Sequence, residues 1–292
     1  MLAVFIIVLI LLGILFILSK NKYDRFLALI DKKAYSLKDF MPMSLYILDS
    51  VKYKFNTKYD HGLQLKLGEL YEHKNSRYFL QIHWANKIAL MLLMILVIAF
   101  LGTAMGNPDT SFVFFSVIAL AGAFYLTDKE VEDKLKKRHL LMQIDFPDFL
   151  NKLILLVNAG MTVPKAMEKI VLERHIEDKE KDRPLYYELY TALMEIQAGK
   201  PDTKAYEDFA KRCKIPEITK FTSVIIQNIR KGNAELVSIL RLQAVECWEI
   251  RKNVAKRLGE EASTKLLFPM MIMFAAILLI VVTPSVMQLQ GF

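Results

Sequence analysis

The chain has 292 residues, 54% of them hydrophobic, with a mean hydropathy of +0.27 and a formal net charge of +8. A soluble domain of this length needs a polar surface and averages below zero, so the excess excludes an ordinary water-soluble fold. The two cysteines, Cys213 and Cys247, stand in neither CxxC nor Cys-His spacing, so a disulfide framework or zinc site is not indicated.

The first apolar run, Leu2–Leu18, carries no charge. At about 1.5 Å per residue it just crosses a hydrocarbon core of about 30 Å. Lys20, Lys22 and Arg25 follow the run, whereas a cleaved signal peptide carries its positive charge in front. Residues 1–18 are therefore expected to be a retained transmembrane anchor with its N-terminus outside. Residues 19–87 form a polar segment in which Tyr, Leu and Lys recur from Tyr35 to Tyr59, followed by an amphipathic stretch at Leu63–Tyr71. This pattern fits both a small helical subdomain and helices lying at the lipid interface.

Two further apolar runs, Ile88–Met105 and Thr110–Thr127, are separated by Gly106, Asn107, Pro108 and Asp109, residue types that make a tight turn. Residues 88–127 are thus predicted to form a transmembrane hairpin. Gly102 and Gly106 make a G-x-x-x-G pattern, and Ala119 and Ala123 repeat the small-xxx-small spacing. Such faces let helices approach closely, either within the hairpin or across a homodimer seam.

Residues 128–265 read as helices throughout, a bundle of about six. Asp145 stands where an acidic N-cap would, Pro147 in the first turn, and Phe149, Leu150, Leu153, Ile154 and Val157 along one face. Gly160 closes that helix, and Thr162 caps a second one carrying Ala166, Met167, Ile170 and Val171. After a charged linker, Glu173 to Arg183, come predicted helices at Pro184–Ala198, Thr203–Cys213, Pro216–Arg230 and Ala234–Lys256. Gly199 and Gly232 suit left-handed C-cap positions between them. The last helix is expected to run through Lys265 into a fourth span, residues 266–288. Pro269 near its start is tolerable in a first helical turn, and Pro284 near its end can stop the helix. Asp145 and Asp148 at a helix start, and Glu260 and Glu261 among Lys256, Arg257 and Lys265, read as structural caps or surface ion pairs; partner docking is the sharper alternative.

Charge sets the orientation. Residues 19–87 hold 13 Lys and Arg against 7 Asp and Glu, and residues 128–265 hold 26 against 23, so every basic residue lies in these two segments. Basic residues are retained on the cytoplasmic side, which places both segments inside and both termini outside. Lys and Glu alternate along the chain instead of forming a basic stripe with interleaved aromatics, so nucleic acid is not a partner. Lys134, Lys136, Lys137 and Arg138, directly after the third span, face anionic lipid instead. The expected fold is all-α: a polytopic membrane protein with about four transmembrane helices and a cytosolic helical bundle.

A search for chemistry returns no catalytic, cofactor-binding or metal-binding set. No P-loop is present, since Gly199-Lys200 is followed by Pro201 and no glycine stands five residues earlier. Neither H-E-x-x-H nor G-x-S-x-G occurs, and His61, His73, His83, His139 and His175 are scattered singly, as packing or solvated residues. The four apolar runs hold no Asp, Glu, Lys, Arg or His, which argues against an ion-coupled transporter and an aspartyl intramembrane protease.

One series of motifs resembles a known family. The order is a hairpin, a basic stretch, Phe146-Pro147-Asp148-Phe149-Leu150, then Asn158-Ala159-Gly160-Met161-Thr162 and Ala166. It continues with Glu188-Leu189, Gly199, a long helical stretch and Glu261-Ala262-Ser263-Thr264-Lys265 entering an apolar span at Pro269. This is similar to the type II secretion system F domain over about residues 85–292. The single copy with four spans resembles the paired platform proteins of tight-adherence (Flp) pili, whereas the platform of classical type IV pili and type II secretion carries the domain twice. The resemblance implies a membrane platform without catalytic activity. Its implied partners are a hexameric assembly ATPase, pilin or pseudopilin subunits, and a sister F-domain protein or a second copy of itself. A membrane scaffold or signalling adaptor unrelated to filaments is the alternative.

Overall fold

Sustained period-two alternation is missing from the chain, while apolar residues recur at three- and four-residue spacing, and the helix is the element this pattern serves. The computed structural model describes residues 2–19, 22–27, 37–71, 75–106, 109–177, 183–231 and 236–289, and among them every regular element is helical. The chain divides into two units, Met1–Arg138 and His139–Phe292.

In the first unit α1 (Leu2–Ser19) is apolar all round, with Ile7 and Ile17 61% and 74% exposed, which suits a lipid surround. It packs along α5 (Ser76–Ala104), where the Phe5 and Phe100 rings meet at 5.9 Å. The polar half of α5 supports a small core. α2 (Asp24–Leu27), a 3-10 turn at Lys38–Phe40 and α3 (Met41–Ser50) bury Leu27, Met41, Leu45 and Leu48 with Ile82 and Ala85 of α5. α4 (Lys58–Tyr71) adds Leu63 and Leu67 against Leu80 and against Val131 of α6 (Thr110–Asn158). Of the two readings open for this segment, its described residues thus form the small helical subdomain. The α3–α4 loop turns sharply, with Lys52 and Phe55 in the left-handed region at φ 50° and 48°.

In the second unit the end of α6 joins α7 (Val163–Glu177), α8 (Pro184–Gln197), α9 (Asp202–Cys213), α10 (Pro216–Lys231) and α11 (Leu236–Leu289) around one core. Met142, Phe146, Phe149, Leu150 and Leu153 bury one face of α6, and Phe221 of α10 meets the Phe146 and Phe149 rings edge-on at 5.6 and 5.7 Å. Gly160 and Gly199 both sit at φ +92° just past α6 and α8. In each case the glycine N–H reaches back three residues and the next N–H five: Gly160 to Val157 and Met161 to Leu156, Gly199 to Ile196 and Lys200 to Glu195. That is the paired bond of a Schellman cap, as expected for both glycines. Gly232 lies outside the described residues.

Three expectations need correction. Asp145 does not cap a new helix and Pro147 is not in a first turn, because α6 runs unbroken from Thr110 to Asn158 with Pro147 inside it. The proline deprives the Gln143 carbonyl of its helical donor, a cost of about 3 kcal/mol. Burial of Met142 and Phe146 before it and of Phe149, Leu150 and Leu153 after it, at about 1.5–3 kcal/mol each, offsets that. Likewise Pro269 is far from the first turn of α11 and Pro284 does not end it; the helix continues to Leu289. In an apolar surround only the helix itself satisfies backbone N–H and C=O groups, so continuing past a proline costs less than unwinding. Gly106, finally, is not a helical packing glycine. α5 stops at Ala104, and Gly106 turns the chain at φ +75°.

Among the described residues three helices are long and apolar enough to cross a bilayer, within Ser76–Ala104, Thr110–Asn158 and Leu236–Pro284, and a shorter apolar helix covers Phe5–Ser19. The protein is a polytopic, all-α membrane protein with a helical bundle outside its apolar segments.

Candidate functional site

The first concentration of charge sits where the hairpin meets the subdomain. Lys87, the residue before the apolar run of α5, is 1% exposed. Its ammonium donates to both carboxylate oxygens of Asp128 at 2.9 and 2.8 Å and to the Tyr59 hydroxyl at 2.8 Å, and lies 3.3 Å from the Phe124 ring centroid. Asp128, the residue after the apolar run of α6, also accepts from Tyr59 at 2.6 Å and contacts His83 Nε2 at 3.2 Å. Trp84, one residue on, donates instead to Asp60 at 2.9 Å. A cation this deeply buried is tolerated because each of its bonds is made; a half-made pair of this kind costs about 3–5 kcal/mol. The arrangement clamps the base of the hairpin to α4.

In the second unit the acidic pair of α6 acts as two staples. Asp145 is 8% exposed and accepts from Arg183 Nη1, at the start of α8, at 3.0 Å. Burial pushes the Asp145 carboxyl above its ordinary pKa, and the Arg183 charge opposes that shift. Asp148 accepts from Arg251 Nη1 of α11 at 2.8 Å, and that guanidinium lies over the Trp248 ring at 5.3 Å. A second chain of charges ties α8 to α9. Glu188, 6% exposed, accepts from Arg212 Nε at 2.6 Å; Arg212 also reaches Glu195, which binds Lys200, which pairs with Asp208 at 2.9 Å. Among the described residues no group of three or more His, Cys, Asp and Glu could hold a metal ion. The buried charges serve to fix helices against one another.

A family model described as type II secretion system (T2SS), protein F matches residues 149–284. Those residues are a type II secretion system F domain. No curated protein and no solved structure matches the chain.

The matched stretch holds the end of α6, all of α7 to α10 and most of α11, so the F domain contains both its helical bundle and an apolar span. Asp145 and Pro147 lie just before it, and Asp148 at its threshold is stapled to its last helix. Gly160 and Gly199 are its caps. Glu260 and Glu261 are exposed on α11, and among the described residues their ion pairs are surface ones a turn back, to Lys256 at 4.0 Å and Arg257 at 3.7 Å. Pro269 is exposed within the span. The acidic residues singled out from the sequence thus divide into an anchored pair and a free-standing pair.

In the hairpin, Gly102 is buried, and a Cβ there would stand 3.4 Å from the Phe112 ring of α6. Ala123 is buried and Ala119 half-buried on the face of α6 that also carries buried Thr127 and Val131. The small residues therefore have neighbours within the chain. Sequence reasoning missed Lys87, Asp128, Tyr59 and His83 as a group. The signal was present: Lys87 and Asp128 are the opposite charges bordering the hairpin's two apolar runs, and antiparallel pairing brings those borders level.

Proposed function

We propose that this protein is the cytoplasmic-membrane platform of a type IV filament machine, of the Flp pilus or type II secretion kind, and works as a mechanical coupler, not an enzyme. In this reading residues 19–87 and 128–265 are cytosolic and both termini lie outside, as the distribution of basic residues requires. A cytosolic hexameric assembly ATPase engages the F-domain bundle. Pilin or pseudopilin subunits meet the membrane part, and a sister F-domain protein or a second copy completes the platform.

One observation carries the proposal: within the F domain the bundle and the last span share one helix, α11, from Leu236 to Leu289. A helix is stiff over this length, and Arg251 locks its polar half to Asp148 of α6. Displacement of the bundle is thereby transmitted along one continuous helix to Pro269, at the start of the apolar end. The exposed Glu260 and Glu261, on the turns just before the span, are candidates for docking.

Inserting two glycines after Lys256 tests the coupling, because it breaks the helix while leaving both ends intact. Filaments or secreted substrate are expected to disappear while the protein stays in the membrane at its normal level, and crosslinking still recovers the ATPase. Normal filaments from the insertion variant would refute the coupling.

A further inference from the structure

The first unit holds a cleft of about 920 Å³ that neither the F domain nor the clamp uses. Its floor is apolar, built from Leu45, Leu48 and Leu80. Its lining also carries Lys52, Lys54 and Arg77, whose side chains make no hydrogen bond or ion pair with any described residue. The one carboxylate in the lining, Asp49, accepts a hydrogen bond from Tyr23. Three cations without a side-chain partner among the described residues, beside an apolar floor, specify an anionic ligand with an apolar root. The rim is also conformationally set. Lys52 and Phe55 both hold left-handed backbone, a cost of the order of 1–2 kcal/mol for a side-chain-bearing residue, and such strain persists where surrounding structure enforces a shape.

The cleft lies close to the bilayer. Its wall α3 packs against α1, which is apolar along its whole length, and Tyr23 and Phe26 follow α1 directly. On α5, Gln81 and Arg77 precede the apolar run that begins at Ile88 by about 10 and 16 Å at the helical rise. Long basic side chains extend toward the headgroup layer from such positions. We propose that this cleft binds the phosphate of an anionic phospholipid, with Lys52, Lys54 and Arg77 on the headgroup and Leu45, Leu48 and Leu80 against the glycerol and the acyl roots. The site lies in the first unit and does not depend on the filament reading.

Native mass spectrometry of the full-length protein, titrated in detergent with dioleoyl phosphatidylglycerol or dioleoyl phosphatidylcholine, tests it. Phosphatidylglycerol is expected to bind about tenfold more tightly. Lys52→Gln with Lys54→Gln, and separately Arg77→Gln, should weaken it by roughly five-fold per cation removed, the equivalent of about 1 kcal/mol for a basic residue near a lipid surface. Lys165→Gln with Lys169→Gln, exposed on α7 in the second unit, should leave the affinity unchanged. An unchanged affinity in both cleft variants overturns the site. Competition by glycerol 3-phosphate at concentrations equal to the lipid would instead assign the cleft to a soluble phosphoester and overturn the lipid assignment.

Discussion

Asp60 is wholly buried in the first unit, and its carboxylate receives four hydrogen bonds: from the Tyr53 hydroxyl at 2.9 Å, Thr57 N–H at 3.2 Å, Thr57 hydroxyl at 2.7 Å and Trp84 Nε1 at 2.9 Å. Burial alone would raise its pKa, but the bonds from Thr57, Trp84 and Tyr53 together outweigh burial and hold it below the ordinary 3.8. A depressed carboxylate contributes stability above its unfolded pKa and loses it as pH falls through the folded value. Asp60→Asn puts an amide donor among four donors, so it should cost about 2–3 kcal/mol at pH 7. Thermal unfolding in detergent should show the gap between wild type and variant narrowing below pH 3.8; a gap independent of pH would mean that the carboxylate charge is not what the site uses. Lys87 follows the same rule, since a charge is kept in a dry place by completing its bonds.

The helices of the second unit owe their ends to single residues and their continuity to packing. Gly160 and Gly199 hold φ +92°, and a Cβ added at either would meet nothing within 4 Å. Alanine there adds no clash, so its cost is the left-handed backbone alone, about 1–2 kcal/mol per site. Gly160→Ala and Gly199→Ala should each lower stability by that amount, and the double variant by their sum, because the caps end different helices. Chemical denaturation of the detergent-solubilised protein measures this; no loss at either position would show that the caps carry no strain. Prolines act in the opposite direction from their local rule. Pro147, Pro269 and Pro284 all lie inside helices, where buried aromatic and aliphatic side chains, or an apolar surround, outweigh the missing N–H.

At the scale of the whole molecule, the distribution of charge predicts how the chain lies in its membrane. In a cysteine-free background, with Cys213 and Cys247 replaced, Asp109→Cys in the hairpin turn should react with a membrane-impermeant maleimide on intact cells. Lys252→Cys, exposed on the polar half of α11, should react only after lysis. The reverse pattern would invert the orientation and place the F-domain bundle where no cytosolic ATPase reaches it. The membrane part is also uneven in its packing. Within the first unit α1 lies along α5, and within the second no residue of the apolar window of α11 is buried.

The long apolar helices, the all-α character, an F domain over residues 149–284 and the capping roles of Gly160 and Gly199 were legible in the residues alone. Each depends on local quantities: the length of an apolar run, the side on which basic residues collect, or the backbone freedom that only glycine has at positive φ. The pairing of Asp145 with Arg183 and of Asp148 with Arg251 was not legible, although both aspartates stood out, because their partners are 38 and 103 residues away. Nor was the choice between a subdomain and an interfacial layer for residues 19–87, which depends on α5 offering Leu80, Ile82 and Ala85 as a surface to cover. Sequence determined which segments leave water, since transfer free energy adds up residue by residue along the chain. Tertiary structure decided which charges stay buried and which prolines are absorbed, since both depend on neighbours that only folding supplies.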